Sequence, residues 1–173
     1  MATISRKGFG QVEPNHLSAQ RTAQIYAQLP AASTLGSILE NGRFVKYDLA
    51  NNAVNLTGSG EWMLVFNEIK LYDDRRQNYK DYAMKASDAT WGEMVPRVFK
   101  TNIGDIYTTN CVGAANTSED AEYEGIELEV GDPLKVNAQG YLVKGTDNNM
   151  QWEVAKVYTM PDGQPGVKIV RVK

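Results

Sequence analysis

The stretch "WEVAKVYTMPDGQPGVKIVRV", residues 152–172, places two apolar-rich runs on either side of a cluster of turn-forming residues. In the second run, Val167 and Ile169 alternate with polar Lys168, a period of two that is typical of a strand. The Pro and Gly residues between the runs favour a reversal of the chain. We therefore predict an antiparallel hairpin, with Ile169 and Val157 buried on its two strands.

Upstream of the hairpin, two short segments resemble each other. "NIGDIYTTN" (residues 102–110) and "EVGDPLKVN" (residues 129–137) both place Gly-Asp ahead of an apolar strand pattern. A glycine there permits a positive φ, and an aspartate bonds its own backbone in a turn. The residues that we assign to structural turns are Gly104, Asp105, Gly131, Asp132, Gly163 and Gly166.

Short strand patterns continue back to about Gly42. "RFVKYDL" (residues 43–49) alternates with a period of two, and the first part of "EWMLVFNEIKLY" (residues 61–72) is apolar on both faces. No helical period appears after Thr101. These patterns predict a mainly β domain over residues 41–173, built as a small β-barrel or sandwich that ends in the hairpin of residues 152–172.

Residues 1–40 differ from the rest in composition. The stretch from Glu13 to Ser33 is rich in Gln, Ala and Ser, and a short helix is predicted from Leu17 to Gln28, between Pro14 and Pro30. Such a segment has few large apolar groups with which to form its own core. We predict an extended N-terminal arm, residues 1–40, that docks on a partner and becomes ordered there.

Charge and composition restrict the class of protein. The formal net charge is −3, which argues against a nucleic-acid binder because such proteins usually carry a basic patch. No stretch has the length of apolar residues that a membrane span needs, and the first eight residues lack the apolar core of a signal peptide. We expect a protein made in a cytoplasm, with neither nucleic acid nor membrane as its partner.

Catalytic patterns are weak. His16 is the single histidine and lies far in sequence from the single cysteine, Cys111, so no nucleophilic triad is indicated. The acidic stretch from Glu119 to Asp132 lacks the spacing of a calcium-binding loop. Glu127 and Glu129 alternate there with apolar Ile126, Leu128 and Val130, which favours the solvent face of a strand. We predict no catalytic residue, cofactor or metal, although a pair of acids could still meet in a cleft.

The final third of the chain resembles the capsid decoration (cement) proteins and head-fibre proteins of tailed bacteriophages. The shared order is Gly-Asp-x-apolar, a turn, a Gly-x-Leu strand, Ala-x-Val, a Gly-rich turn and a last Val-x-Ile strand, within residues 125–173. The residues that carry it are Gly131, Asp132, Leu134, Gly140, Leu142, Ala155, Val157, Gly166, Val167 and Ile169.

This resemblance implies a non-enzymatic subunit on the capsid surface of a virion, with the major capsid protein as its partner. Self-association is implied too, with a trimer favoured over a monomer. The arm would then contact the shell through its basic, aromatic and histidine side chains, namely Arg6, Lys7, Phe9, His16, Arg21 and Tyr26.

Two alternatives stay open. The chain could be another virion component: a head fibre, a minor or major capsid protein, or a tail adaptor. It could instead be a carbohydrate-binding β module that uses Trp62, Trp91 and tyrosine side chains, although a tryptophan in a strand usually belongs to a core.

Overall fold

Strands make up almost all of the regular structure in the computed structural model, which describes residues 1–16, 24–26, 29–67, 82–88, 93–113 and 122–173. Within these residues the strands are, in chain order from β1 to β15, Ala2–Lys7, Val12–His16, Ile25–Tyr26, Ile38–Glu40, Phe44–Asp48, Ala53–Asn55, Met63–Val65, Ala83–Lys85, Val98–Lys100, Ile106–Thr109, Glu122–Leu128, Pro133–Val136, Leu142–Lys144, Trp152–Thr159 and Pro165–Arg171. Two short 3-10 turns lie at Ser33–Leu35 and Ala86–Asp88.

Two large antiparallel sheets form the body of the protein. One has the order β13-β12-β14-β15-β10-β2, and the other has the order β3-β9-β7-β5-β6. Two smaller pairs, β1-β11 and β4-β8, lie beside them. The predicted mainly β fold is thus confirmed, and neither large sheet closes on itself among the described residues, so the architecture is a sandwich rather than a barrel.

The hairpin at residues 152–172 forms as predicted. Its strands β14 and β15 pair antiparallel, with Val154 opposite Ile169 and Val157 opposite Val167. Val167 and Ile169 are buried, whereas the neighbouring Lys168 on the other face is half-buried. Val157 is only half-buried, which corrects our expectation for that residue. It lies beyond an irregularity in the strand pairing, between Val154 and Lys156.

The two large sheets meet through aromatic side chains. Trp152, fully buried, lies edge-on to Phe44 of the five-stranded sheet at 5.9 Å and to Tyr107 of its own sheet at 5.7 Å between ring centroids. Such pairs stabilise a fold by about 0.5–1.5 kcal/mol beyond their buried area. Leu64 of β7 and Ile169 of β15 belong to the same core. This contact therefore fixes how one sheet lies on the other.

A second core lies on the opposite face of the five-stranded sheet. Met63 and Val65 of β7 pack there with Leu35 and Leu39, all of them buried. Strand β7 is central in its sheet and is covered on both sides. This explains why its sequence is apolar on both faces, as predicted.

The first sixteen residues are built into the sheets. Strand β1 pairs with β11, and β2 pairs with β10 at the edge of the six-stranded sheet. Ile4 is fully buried and Phe9 is 1% exposed. Few apolar groups are available in this segment, but the long partner strands supply hydrogen bonds that an isolated arm would lack. The described part of residues 1–40 therefore contributes four strands, and each of them pairs with a strand from residues 41–173.

The predicted helix from Leu17 to Gln28 lies mostly outside the described residues. Two of its residues, Ile25–Tyr26, form strand β3 and pair with Val98 and Phe99 of β9. At these two positions the helix prediction is wrong, because the edge of the five-stranded sheet offers backbone partners that override a weak helical pattern.

The hairpin core gives a first test. Ile169→Ala should lower the free energy of unfolding by about 2–4 kcal/mol, because it removes buried methyl groups and leaves a cavity beside Trp152. Val157→Ala, on a half-buried side chain of the partner strand, should cost clearly less. Urea denaturation of both variants measures the difference, and equal losses would contradict the described facing of the strands.

Candidate functional site

A buried ion pair lies at the junction of the two cores. The guanidinium of Arg6 lies 3.0 Å from the carboxylate of Glu40, and the two side chains are 0% and 2% exposed. Arg6 also donates to the carbonyls of Asn110 and Val112, at 3.1 and 3.4 Å. The second oxygen of Glu40 accepts the backbone N–H of Gly10 at 2.6 Å. The pair thus connects β1, β4 and the loops that follow β1 and β10.

The single cysteine packs into this junction. Gly10 and Gly42 lie against Cys111, and a Cβ atom added to either glycine would meet the Cys111 side chain at 2.6–2.7 Å. Burial, reinforced by the charge of Glu40, raises the pKa of the Cys111 thiol far above its ordinary value. Because the thiolate is the reactive form, Cys111 is a packing residue in the folded chain.

Arg43 and Tyr141 extend the same polar cluster. Arg43 donates to the carbonyls of Leu35 at 2.9 Å and Gln139 at 3.0 Å, and its guanidinium lies 5.3 Å from the centre of the Tyr141 ring. Burial, followed by the charge of Glu40, raises the pKa of the Tyr141 hydroxyl. The cluster is enclosed by the fold, so its chemistry is to hold segments together rather than to meet a substrate.

The residues predicted to contact a capsid lie in different environments. Arg6 and Phe9 are buried, at 3% and 1% exposed, and contact the chain's own residues. Lys7 is exposed at the end of β1, where its backbone N–H donates to Gln164 at 2.8 Å. The prediction that Arg6 contacts a partner is not supported by its burial. Its own partner, Glu40, is 34 residues away in sequence and cannot be recognised from the local pattern.

The other three predicted arm residues are His16, Tyr26 and Arg21. The backbones of His16 and Tyr26 lie in β2 and β3, and Arg21 lies outside the described residues, as does Trp91. Their proposed contact with a partner stays a prediction.

The first Gly-Asp segment forms a tight turn that docks on β15. Gly104 has a φ of 93°, and the carboxylate of Asp105 accepts the backbone N–H of Asn102 at 2.7 Å. Gly104 donates to the carbonyl of Arg171 at 2.8 Å, and Arg171 donates back to the carbonyl of Asp105 at 3.0 Å. The turn chemistry predicted for Gly104 and Asp105 is therefore present.

The second Gly-Asp segment repeats this arrangement on β14. Gly131 has a φ of 90°, and the carboxylate of Asp132 accepts the backbone N–H of Glu129 at 2.9 Å. Gly131 donates to the carbonyl of Val154 at 2.8 Å, and Val154 donates back to the carbonyl of Asp132 at 3.0 Å. The resemblance between the two sequence segments thus reflects one shared turn structure.

The turn of the hairpin depends on one of the two glycines assigned to it. Gly163 has a φ of 87° and donates to the carbonyl of Met160 at 2.8 Å. Gly166 lies inside β15 instead, where an added Cβ would come within 2.8 Å of the Met160 sulfur. Its role is close packing against Met160.

Each docked turn leaves one apolar side chain in solvent. Ile103 is 71% exposed between Asn102 and Gly104, and Val130 is 64% exposed between Glu129 and Gly131. Sequence alternation had assigned Val130 to the apolar face of a strand, and the structure corrects this, since the strand ends at Leu128.

A third exposed apolar side chain, Leu49, lies on a different turn between β5 and β6 and is 71% exposed. The carboxylate of Asp48 holds this turn by accepting the backbone and side-chain N–H groups of Asn51 at 3.2 and 2.9 Å. The same hydrogen bonds lower the pKa of Asp48.

The acidic stretch contributes surface charge. Glu127 is exposed on β11 and Leu128 beside it is buried, as predicted for a solvent face, whereas Glu129 is exposed but lies beyond the end of the strand. Residues 114–121, including Glu119, lie outside the described part of the chain. Among the described residues, no group of histidine, cysteine or acidic side chains has the arrangement of a metal site.

A small surface cleft of about 130 Å³ lies beside the five-stranded sheet. Tyr47, Gly60, Glu61, Met63 and Lys100 line it. The cleft thus has a carboxylate and an ammonium group in its lining, and the carboxylate of Glu61 also lies 3.7 Å from the guanidinium of Arg171. Sequence reasoning did not single out Glu61 or Lys100, because neither belongs to a recognisable motif.

Trp62, the aromatic residue that the sequence suggested for sugar binding, follows Glu61 in the chain. It packs against the main core, and the ammonium group of Lys46 lies 4.6 Å from its ring centre. The ring face beneath Lys46 is therefore occupied, unlike the open face on which a sugar would stack.

The buried ion pair gives a test of the fold. Glu40→Gln should lower the free energy of unfolding by about 3–5 kcal/mol, because the Arg6 guanidinium then stays buried without a counter-charge. Glu153→Gln, an exposed change in β14, should cost less than about 0.5 kcal/mol. Chemical denaturation at neutral pH compares them, and a small loss for Glu40→Gln would show that the pair is dispensable.

The ion pair at the second turn makes a pH-dependent contribution. The Lys144 ammonium, 2.7 Å from the Asp132 carboxylate, and the N–H of Glu129 hold the pKa of Asp132 below its ordinary value. A carboxyl with a lowered pKa stabilises the fold above its unfolded pKa, about 3.9, and this contribution is lost as the pH falls through the lowered value.

Asp132→Asn should therefore reduce the melting temperature near pH 7, and the difference from the unmodified protein should shrink as the pH falls below about 4. Lys144→Gln should remove much of the same contribution, so the double variant should melt close to Asp132→Asn alone. A melting difference that persists unchanged at low pH would argue against this assignment.

No protein-family model, curated protein or solved structure matches this chain. The resemblance to phage decoration proteins, suggested by the residues of the 125–173 segment, therefore stays a prediction. The described part of the chain contains no helix with the length and apolar character of a bilayer-spanning segment.

Proposed function

We propose that this chain is a non-enzymatic virion structural protein, a decoration (cement) subunit on the capsid surface of a tailed phage. The observation that carries the proposal is that the residues of the resemblance occupy positions that define one structural unit. Gly131 and Asp132 form a docked turn, and Leu134, Leu142 and Ile169 are buried in the main core. These residues lie on or beside four strands that are neighbours in the six-stranded sheet, in the spatial order β13-β12-β14-β15.

The rest of the fold suits a structural role. The buried charges of Arg6 and Glu40 hold distant segments together, and two cores on either side of the five-stranded sheet make a stiff body. A stiff body loses little conformational freedom on binding, so more of the contact energy appears as affinity.

The subunit would bind across neighbouring capsomers of the major capsid protein. Burial of apolar surface contributes roughly 25 cal/mol per Å², and many copies on one shell add their contributions against internal pressure. Because Arg6 and Phe9 are buried, we place the shell contact on exposed groups of the β domain rather than on these arm residues. A trimer is the favoured assembly within the proposal, with a monomer as the alternative.

A carbohydrate-binding module is the second candidate function. The cleft lined by Tyr47, Glu61 and Lys100 favours it, since sugars are bound by hydrogen bonds to such side chains beside an aromatic ring. The proposal is weaker because the ammonium of Lys46 occupies one face of the neighbouring Trp62 ring.

Binding to shells separates the candidates. Purified protein titrated onto undecorated phage shells should co-sediment to saturation, and decorated shells should survive a higher temperature than bare shells. Glu61→Gln, in the cleft, should bind shells like the unmodified protein. Binding to a glycan array that Glu61→Gln abolishes, together with no binding to shells, would reject the decoration role in favour of the carbohydrate module.

The same particles distinguish decoration from other virion roles. Electron cryomicroscopy of saturated shells should show the protein between capsomers. Density only at a portal vertex or on a tail would instead identify a tail adaptor or fibre component.

A further inference from the structure

The two Gly-Asp turns belong to a symmetric unit of four strands. Each turn runs directly into a strand, β10 after the first turn and β12 after the second, and these strands flank the β14–β15 hairpin on its two sides. In the order β12-β14-β15-β10, the hairpin therefore lies in the centre, and a strand that follows a Gly-Asp turn lies on each side of it.

The strand register is symmetric as well. Two residues after Gly104, Ile106 pairs with Val170, and two residues after Gly131, Pro133 pairs with Glu153. The central pair of the hairpin is Glu153 with Val170. The next pairs outward also correspond: Tyr107 with Ile169, and Leu134 with Trp152.

A two-fold rotation between Glu153 and Val170, about an axis perpendicular to the sheet, thus exchanges the two halves of the unit. The docking bonds obey the same rotation, since Gly104 donates to Arg171 and Gly131 donates to Val154. Arg171 and Val154 are each one residue away from the central pair. The agreement extends over strand order, register and turn hydrogen bonds.

The rotation relates the two exposed side chains of the turns, Ile103 and Val130. An axis perpendicular to a sheet leaves both positions at the same height above it, so one surface can contact both. They are separated by three strand spacings across the sheet and about four residues along it, which gives a distance of roughly 20 Å. Single exposed apolar residues are common on protein surfaces. An equivalent pair on identical hydrogen-bonded turns is a more specific arrangement.

We propose that Ile103 and Val130 are equivalent contacts that bind two copies of one partner. This inference rests on the proposed function, in which the partner copies are neighbouring subunits of the shell protein. Both side chains are β-branched and aliphatic and emerge from the same turn, so both fit the same kind of apolar pocket. Two shell subunits related by a local two-fold axis would present such pockets in the matching arrangement.

Two contacts on one stiff body should bind far more tightly than either contact alone. Once the first is made, the second becomes intramolecular, which typically raises the overall affinity by about 10²–10⁴-fold. We therefore expect Ile103→Asp and Val130→Asp each to weaken binding to undecorated shells by about a hundredfold or more, by similar factors, and the double variant to bind no shells at all.

The matched control is Leu49→Asp. Leu49 is as exposed as Ile103, at 71%, and also lies on a turn held by an aspartate, but it is outside the symmetric unit. It should bind shells with unchanged affinity. All four variants should keep the melting temperature of the unmodified protein, because the altered side chains are exposed.

Stoichiometry on unassembled shell subunits tests the same idea without avidity. Sedimentation velocity should show two shell subunits bound to each unmodified molecule and one bound to each single variant. Shell binding that only one of the two substitutions weakens, or that neither weakens, would overturn the two-contact arrangement and leave the decoration role intact. Failure of the unmodified protein to bind shells would overturn both.

Discussion

The Arg6–Glu40 ion pair is the constraint on which the arrangement of the segments depends. Removing two charges from water costs several kcal/mol for each ion, so the pair is tolerated only with near-complete hydrogen bonding. Glu40 accepts a hydrogen bond from the N–H of Gly10, and Arg6 donates to the carbonyls of Asn110 and Val112. Together with the pair itself, these partners come from three separate parts of the chain, so satisfying one charged pair fixes β1, β4 and the end of β10 relative to one another.

The features that local sequence predicts well are those that local chemistry decides. The hairpin at residues 152–172 and the two-sided burial of β7 follow from alternation and turn residues within a few positions. Arg6 could not be placed in this way, because its partners are Glu40 and the carbonyls of a loop more than one hundred residues away. The weak helix pattern around Ile25 was overridden by backbone pairing with β9. The local sequence does not show that the edge of this strand is available.

The candidate site shows the same division. Turn chemistry at Gly104 and Gly131 could be predicted, because glycine and aspartate carry it within four residues. The symmetry of the two turns could not, since it depends on which strands lie beside β14 and β15. Val130 shows the limit most clearly: alternation assigns it to a buried face, yet the strand ends two residues earlier and leaves the side chain in solvent. Which side chains are exposed on the proposed binding surface is thus determined by the tertiary structure rather than by the local sequence.

The pairing of β1 with β11 has a consequence for how the chain is made. Ala2 lies opposite Leu128, and the backbone of Lys7 bonds to Gln164, so β1 is synthesised long before the residues that pair with it. Folds dominated by such distant contacts form slowly, and unpaired strand edges stay open meanwhile. Strand β1 therefore stays unpaired while the intervening residues are synthesised, and a chaperone that binds it during that time would protect it from aggregation.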